Sequence, residues 1–438
     1  MRKALLSLAP MKPQARIQAL IEIFEKIEEN TRVPMDTVVG DYMRHRRYIG
    51  SKDRSNIAER IYNVIRAYAR IGWWLSRAHV EDTPRNRVIA YCMLDEQAEG
   101  KRIKEMFDGS KFSPETLSEV ELGLIKKLSG EKLNHPDMPV RVRAECPELY
   151  AEKLEAYFGD DFEAEMNALL KPATLDVRVN SFTCSRDKAK EALEKDGVKT
   201  QETPYSANGL RCDTKAYLSR TKAFSKGWIE IQDEGSQLIA QMCGVKPGMQ
   251  VLDYCAGAGG KTLCLGATMQ RKGRIVAMDT DARRLEKGRQ RYKKAQLADI
   301  IEVRPLEDEK NKKWLKRQKE KFDVVLTDVP CTGTGTWRRN PDMRWTVYGP
   351  SLEELVAIQA EILDKVAPMV KPGGVLAYAT CSLLPDENED QIDRFLKDHP
   401  DFEVDPIDPV KGLGSPYMRL TPYRHHTDGF FTAILRRK

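Results

Sequence analysis

The sequence predicts an α/β chain whose C-terminal part is a parallel sheet covered by helices on both faces, behind an all-helical region and a small α/β unit. Three observations predict it. Residues 13–130 repeat their apolar positions at helical spacing. From residue 249 onward, short apolar runs alternate with helical segments. A glycine-rich turn, Gly257-Ala258-Gly259-Gly260, follows the first of those runs.

In the first region, assigned to residues 1–135, Ile17, Leu20, Ile21, Ile23 and Phe24 form one apolar stripe. A second periodic segment runs through Ile57, Ile61, Val64, Ile65, Tyr68 and Ile71 towards Trp73 and Trp74. Arg44, Arg46, Arg47, Arg54, Arg60, Arg66 and Arg70 lie in or just before it, as a solvated helix face or as a surface for phosphates. Ser113-Pro114-Glu115 marks the start of a later helix, and the proline-containing residues 134–139 read as a linker.

Residues 145–232 mix types. A helix over 150–158, a strand over 175–180, a helix over 187–195 ended by Gly197, and short strands near 198–204 and 228–232 make a small α/β module. In residues 233–438 the strand candidates are 250–255, 274–279, 300–303, 322–328 and 374–381. Their near-continuous apolar character suits a parallel sheet. Residues 402–406 and 429–435 are expected to close it as an antiparallel pair, and the lysine-rich run 310–321 reads as a solvated helix.

At 438 residues the chain needs two or three cores. A hydrophobic content of 41% with 32% charged residues excludes disordered and membrane-embedded classes, and no run approaches the roughly 18 apolar residues of a spanning helix. The short apolar start is interrupted by Lys12 and Arg16, unlike a signal peptide, so cytoplasmic residence and no membrane partner are expected. A net charge of +6 is compatible with a nucleic-acid partner without demonstrating one. Nine cysteines without Cys-x-x-Cys spacing predict no metal site. Cys92, Cys146, Cys184, Cys212, Cys243 and Cys264 carry no motif and read as buried small hydrophobes; Cys255, Cys331 and Cys381 stand apart. The oligomeric state is not encoded, and a monomer is the default expectation.

Asp253-Tyr254-Cys255-Ala256-Gly257-Ala258-Gly259-Gly260-Lys261-Thr262 joins the first strand to a helix. The glycines permit a sharp turn and the helix start offers free N–H donors. A P-loop would need glycine where Cys255 stands. Asp279, ending the second strand about 20 residues beyond the turn, suits an adenosine ribose. That carboxylate fits NAD and S-adenosylmethionine equally, while Asp253 near the turn favours the latter because a carboxylate there would oppose a pyrophosphate.

Asp328-Val329-Pro330-Cys331 closes the fourth strand and Thr380-Cys381-Ser382 the fifth, so both thiols are placed at the carboxyl edge, where such sheets bind ligands. Two thiols with an acid suit methylation of cytosine at carbon-5. That carbon is a poor nucleophile until a thiolate adds to carbon-6, and an acid at ring nitrogen-3, a role open to Asp328, would stabilise the adduct. A free thiol is only about 3% ionised at neutral pH. A helix opened by Pro385-Asp386-Glu387-Asn388-Glu389 would offer little help, so Lys261 is the candidate cation.

The segments Asp253 to Thr262, Ala277-Met278-Asp279, Asp328 to Cys331, Arg338-Arg339-Asn340-Pro341-Asp342-Met343-Arg344-Trp345 and Ala379-Thr380-Cys381-Ser382 resemble the Sun/Nop family of RNA cytosine-5 methyltransferases, especially its bacterial ribosomal members. The resemblance covers roughly residues 145–438. It implies a Rossmann-like S-adenosylmethionine methyltransferase domain, with Cys381 as nucleophile, Cys331 assisting product release and Asp328 contacting cytosine. It further implies a cofactor site lined by Cys255, Ala256, Gly257, Ala258, Gly259, Gly260, Lys261, Asp279 and Asp328. The first 130 residues resemble, more weakly, the NusB-like RNA-binding domain of those members, and the middle unit their RNA-recognition-like module. The chain departs from the family in two places. Ala256-Gly257-Ala258 stands where the family usually has Ala-Ala-Pro, and Val303-Arg304-Pro305 where it tends to place an acid at the adenine, with Glu307 and Asp308 only later.

Arg338, Arg339 and Arg344 lie between the cysteine motifs and are expected to face RNA phosphates, while Trp345 either packs internally or stacks on a base. Ribosomal RNA is the favoured partner, with transfer RNA as the alternative. A DNA cytosine methyltransferase would use Cys331 alone, an NAD oxidoreductase would leave both thiols without a role, and a non-catalytic RNA-binding assembly factor would have no need of them.

Overall fold

The computed structural model describes residues 10–407, 413 and 415–438. Internal contacts divide the chain into two units, one holding the residues up to Leu170 with Asn340–Gly349, the other Lys171–Arg339 with Pro350–Lys438.

The first unit is helical, as expected: α1 (Pro13–Glu29), α2 (Met35–His45), α3 (Ser51–Arg66), α4 (Tyr68–Ala78), α5 (Pro84–Leu94), α6 (Gly100–Met106), α7 (Glu119–Leu128), α8 (Val140–Arg143), α9 (Glu148–Phe158) and α10 (Phe162–Ala168). The α1 stripe of Ile17, Leu20, Ile21, Ile23 and Phe24 is buried. Residues 86–94 of α5 are buried on every side, as befits a central helix. Thr83 caps α5 by accepting the Asn86 N–H, with Pro84 at the first helical position.

Three expectations change here. The segment through Ile57 and Ile71 is two helices, broken at Ala67, because the buried Glu145 carboxylate takes the N–H groups of Ala69 and Arg70 at 2.8 and 3.1 Å. The later helix starts at Glu119 instead of Pro114: Ser118 and Glu121 form a reciprocal capping box that satisfies two free amides. Residues 134–139 are packed, with the His135 ring 5.3 and 5.2 Å from Trp73 and Trp74 and Met138 buried.

Residues 340–349 join this unit through Trp345, which packs 5.2 Å from Tyr68 and donates to the Ile65 carbonyl at 3.1 Å. Asp342 accepts the Met35 N–H at 2.9 Å. The internal option for Trp345 is the one realised.

The second unit contains two sheets. The smaller is antiparallel, in the order β2-β3-β1-β4, from β1 (Asp176–Val179), β2 (Thr200–Glu202), β3 (Gly209–Cys212) and β4 (Ile229–Ile231), with α11 (Arg186–Lys195) and α12 (Lys222–Ser225). The strand β3 had no counterpart in the sequence reading.

Between the sheets runs α13 (Glu234–Met242). The larger sheet comprises β5 (Gln250–Asp253), β6 (Arg274–Asp279), β7 (Ile301–Pro305), β8 (Phe322–Asp328), β9 (Val370–Thr380), β10 (Phe402–Val404), β11 (Met418–Leu420) and β12 (Phe430–Arg437), in the order β10-β12-β9-β8-β5-β6-β7 with β11 on β12. The strands β5 to β9 are mutually parallel, and β12 and β10 close the edge antiparallel. Its helices are α14 (Gly260–Thr268), α15 (Ala282–Lys294), α16 (Glu309–Leu315), α17 (Leu352–Val366) and α18 (Glu389–Asp398). Strand side chains alternate between two cores, Val251, Ile275 and Leu326 on one face, Leu252, Val276 and Val325 on the other. The strand order reverses between β5 and β8, which opens a crevice at their carboxyl ends.

Candidate active site

The glycine turn lies on that crevice. The Tyr254 N–H donates to Leu326 O and the Ala256 N–H to Met278 O, so the neighbouring strands β8 and β6 hold the turn from both sides. Gly257 and Gly259 have positive φ, +54° and +79°. At Gly259 a Cβ would fall 2.1 Å from the Tyr292 hydroxyl, so both conformation and space demand glycine. Arg291 donates to Ala258 O at 2.6 Å and closes the outer side of the turn.

Carboxylates surround it. Asp279 accepts the Gly257 N–H at 2.7 Å through one oxygen and the Asp281 N–H at 2.8 Å through the other. Asp253 accepts the Thr262 hydroxyl at 2.7 Å; it is fully buried, its second oxygen has no protein partner, and burial pushes its pKa up to about 7. Lys261 donates to Asp328 at 2.7 Å. Burial alone would lower the Lys261 pKa, but the Asp328 carboxylate outweighs it and holds the ammonium above its ordinary value. A backbone hollow that admits no side chain, a ribose-type carboxylate and an unpartnered buried oxygen fit an adenosine cofactor with a cationic amino-acid end.

Cys331 and Cys381 meet beside Asp328 and Lys261, sulfur to sulfur at 3.3 Å. The contact with Cys381, with burial, raises the Cys331 pKa well above its ordinary value. The two sulfurs are within hydrogen-bonding reach of each other, and either can be the donor. Burial, with Asp328 and Asp253, also pushes up the Cys255 thiol. The six cysteines without motifs are buried, whereas Cys255, Cys331 and Cys381 are partly exposed.

Sequence reasoning missed the clamp beneath the thiols. The wholly buried Glu387 accepts the Thr332 N–H at 2.9 Å, the Thr332 hydroxyl at 2.5 Å and the Gln359 amide at 2.9 Å. Gln359 also donates to Pro330 O at 2.9 Å, and Tyr378 donates to Glu387 O at 2.6 Å. Glu387 thereby ties the loop carrying Cys331 to the loop that follows Cys381. The only signal for it was its place in the acidic stretch after Cys381, which reads only as the opening of a helix.

The arginine expectations need correction. Arg338 is buried and ion-paired with Asp233 at 3.0 Å and with Asp428, while Arg339 pairs with Asp233 at 2.8 Å and with Asp428. Arg344 is buried and donates to Glu145 O at 2.9 Å. These guanidinium groups are spent on internal partners, and Arg338 and Arg344 present no free face to phosphate.

Residues 240–436 match the family model described as 16S rRNA methyltransferase RsmB/F, and residues 146–218 match a model for the ferredoxin-like domain of RsmF/B-like methyltransferases. The chain is 33% identical over 316 residues to the probable ribosomal RNA small subunit methyltransferase B of a Synechocystis species, covering 70% of this chain and 68% of that protein. It is 29% identical over 404 residues to ribosomal RNA small subunit methyltransferase B of Erwinia tasmaniensis, covering 88% and 91%. The crystal structure of PH0851 is similar with a TM-score of 0.76 at 27% identity, across 98% of this chain and 100% of that one.

Proposed function

The chain belongs to the RsmB/F family of 16S rRNA methyltransferases, and from that premise we propose that Cys381 adds to carbon-6 of a cytosine in 16S ribosomal RNA while Cys331 assists its release. The chain is an S-adenosylmethionine-dependent RNA methyltransferase. That cofactor supplies an electrophilic methyl group when bound at the Gly257–Gly259 turn, with Asp279 at its ribose.

The residues divide the work as follows. The Cys381 thiolate spends an electron pair on the C6–S bond, and the C5=C6 π bond breaks so that its pair moves onto carbon-5 and the conjugated ring and makes carbon-5 nucleophilic. Asp328 faces the base edge, and the Lys261 ammonium bonded to it balances the charge that builds on the ring. After methyl transfer a base removes the carbon-5 proton and the C6–S bond breaks. Cys331, whose sulfur lies 3.3 Å from that of Cys381, then assists the departing Cys381 sulfur. The target base must leave its stack to reach the thiols, so a loop or splayed nucleotide is the expected substrate. Among the described residues no helix is long and apolar enough to cross a membrane, and the reading places the protein in the cytoplasm, where its substrate is made.

The 3.3 Å contact between the two sulfurs beside Lys261 and Asp328 carries this reading. The test is to incubate Cys331→Ala and Cys381→Ala with cofactor and 16S ribosomal RNA and resolve the products on a denaturing gel. Cys331→Ala should accumulate a covalent protein–RNA adduct and Cys381→Ala none. An adduct formed only by Cys381→Ala would exchange the roles.

A further inference from the structure

With Arg338 and Arg344 buried, charge draws attention to another surface. In the thirteen residues of α15, Arg283, Arg284, Lys287, Arg289, Arg291, Lys293 and Lys294 stand against one carboxylate, Glu286. That is six net positive charges, as many as the whole chain of 438 residues carries.

The packing leaves most of these cations outward; Arg291 is the exception, half-buried and paired with Glu230 at 3.0 Å. Leu285, Gly288 and Tyr292 form the buried side of α15. Arg283, Lys287 and Lys294, at spacings of four and seven, share the opposite side over about 16 Å of axis. Of the acids nearby, Asp281 caps the helix by accepting the N–H groups of Arg283 and Arg284 and lies 3.7 Å from the Arg283 guanidinium, which is still 94% exposed, and Glu286 pairs with Arg289 at 3.0 Å. In the helical unit four of the seven arginines singled out from the sequence are ion-paired, Arg44 with Asp41, Arg46 with Glu22, Arg60 with Glu96 and Arg70 with Glu145.

Both ends of this face lead somewhere. At its N-terminal end Arg284 covers the cofactor turn so closely that a Cβ on Gly257 would lie 2.6 Å from its guanidinium. At its C-terminal end Lys294 sits 3.5 Å over the half-buried Phe224 ring, and Lys188 and Lys226 each lie 5.0 Å from the half-buried Trp228. The junction is tight: Asn180 donates to both Gly227 O and Ala295 O. Cations interleaved with aromatic rings, continuous with a cofactor site, suit a nucleic-acid strand better than a protein surface, because phosphates take the charges and bases the rings.

We propose that the Arg283–Lys287–Lys294 face of α15, continued by Phe224 and Trp228, is the track on which the RNA substrate's phosphate backbone runs to the methyl-transfer site. The proposal rests on the reading of the chain as an RNA methyltransferase. It names the surface that makes the electrostatic part of substrate affinity.

The test compares full-length wild type with R283E/K287E and with K287R. The probe is 16S ribosomal RNA in filter binding between about 50 and about 300 mM potassium chloride. S-adenosylmethionine affinity and melting temperature are measured in parallel. R283E/K287E should weaken RNA binding at least about tenfold at low salt and flatten the slope of log affinity against log salt by about 1.4, two single-strand contacts' worth. Cofactor affinity should be unchanged, and K287R should behave as wild type. If R283E/K287E melts early, R283A/K287A gives the same readout with a smaller loss. RNA affinity within twofold of wild type with an unaltered slope overturns the proposal. So does a loss confined to assembling small-subunit particles and absent on naked RNA, which would assign the face to a ribosomal protein. If wild type binds RNA with a steep salt slope yet forms no 5-methylcytosine and no adduct, the enzymatic reading fails while the track stands.

Discussion

Lys261, one residue into the helix after β5, donates its ammonium to Asp328 at the end of β8, 2.7 Å away and across the point where the strand order reverses. The pair joins the cofactor turn to the loop of the first thiol. It also puts the only cation among the described residues that pairs with Asp328 on the cofactor side of the crevice. Cys381 lies close enough for its charge to help hold the Lys261 proton, which makes Lys261 the cation that the proposed Cys381 thiolate would meet.

Replacing Lys261 should therefore act on chemistry more than on binding. Lys261→Met is expected to lower kcat by about 10²–10³-fold, the usual loss when one preorganised charge is removed. The ascending limb of the pH–rate profile should also move to higher pH, because the thiolate loses its cation. Lys261→Arg keeps the charge and should recover part of the rate. A profile that keeps its position in Lys261→Met would show that Cys381 is ionised by something else.

Asp253 makes a prediction about stability. Its carboxyl binds a proton more tightly in the folded protein, with a pKa of about 7, than an unfolded aspartate does at about 3.9. A raised carboxyl stabilises the fold most below the unfolded value, and that contribution is lost as pH climbs from about 4 to about 7, levelling above. Asp253→Asn keeps an acceptor for the Thr262 hydroxyl and removes the titration. In the ligand-free protein, wild-type stability relative to Asp253→Asn should fall between pH 4 and pH 8 by up to about 4 kcal/mol. Thermal melts at three pH values test this; a difference that stays constant across them would mean that Asp253 does not change its protonation on folding.

Much of this architecture could be read from the chain because it is locally written. The apolar runs of β5, β6, β8 and β9 have no other use than a covered sheet, and Gly259 stands where only glycine fits. The thiols could be paired from sequence because each follows a strand of one parallel sheet, and parallel register brings strand ends together. What failed depended on distant partners. Arg338 looks like a surface charge until Asp233 and Asp428, each about a hundred residues away in sequence, converge on it. The break at Ala67 is made by Glu145, and short strands such as the four-residue β3 carry too little pattern to register. Charge density in α15 was visible in the sequence, but its meaning depended on learning which other arginines were already paired.

Glu387 supplies the last prediction, because its geometry and its charge act in different ways. Three donors from two chain segments converge on its carboxylate, two from Thr332 and one from Gln359, and it has no exposure to solvent. Glu387→Ala leaves those donors buried without an acceptor, which should cost about 2–4 kcal/mol of stability. It also frees the Cys331 loop from the segment after Cys381. A displacement of about 1 Å between reacting groups is enough to lose about 10²-fold in rate, so kcat should fall by that order while KM for RNA and cofactor stays near wild type. Glu387→Gln keeps the shape and one accepting oxygen but turns a donor towards Thr332 or Gln359. It should fold better than Glu387→Ala and still lose most of the rate. Melting curves and steady-state kinetics on the two variants separate the effects: a raised KM with normal kcat in Glu387→Gln would place Glu387 in substrate binding, and full activity in both would remove it from the thiol geometry altogether.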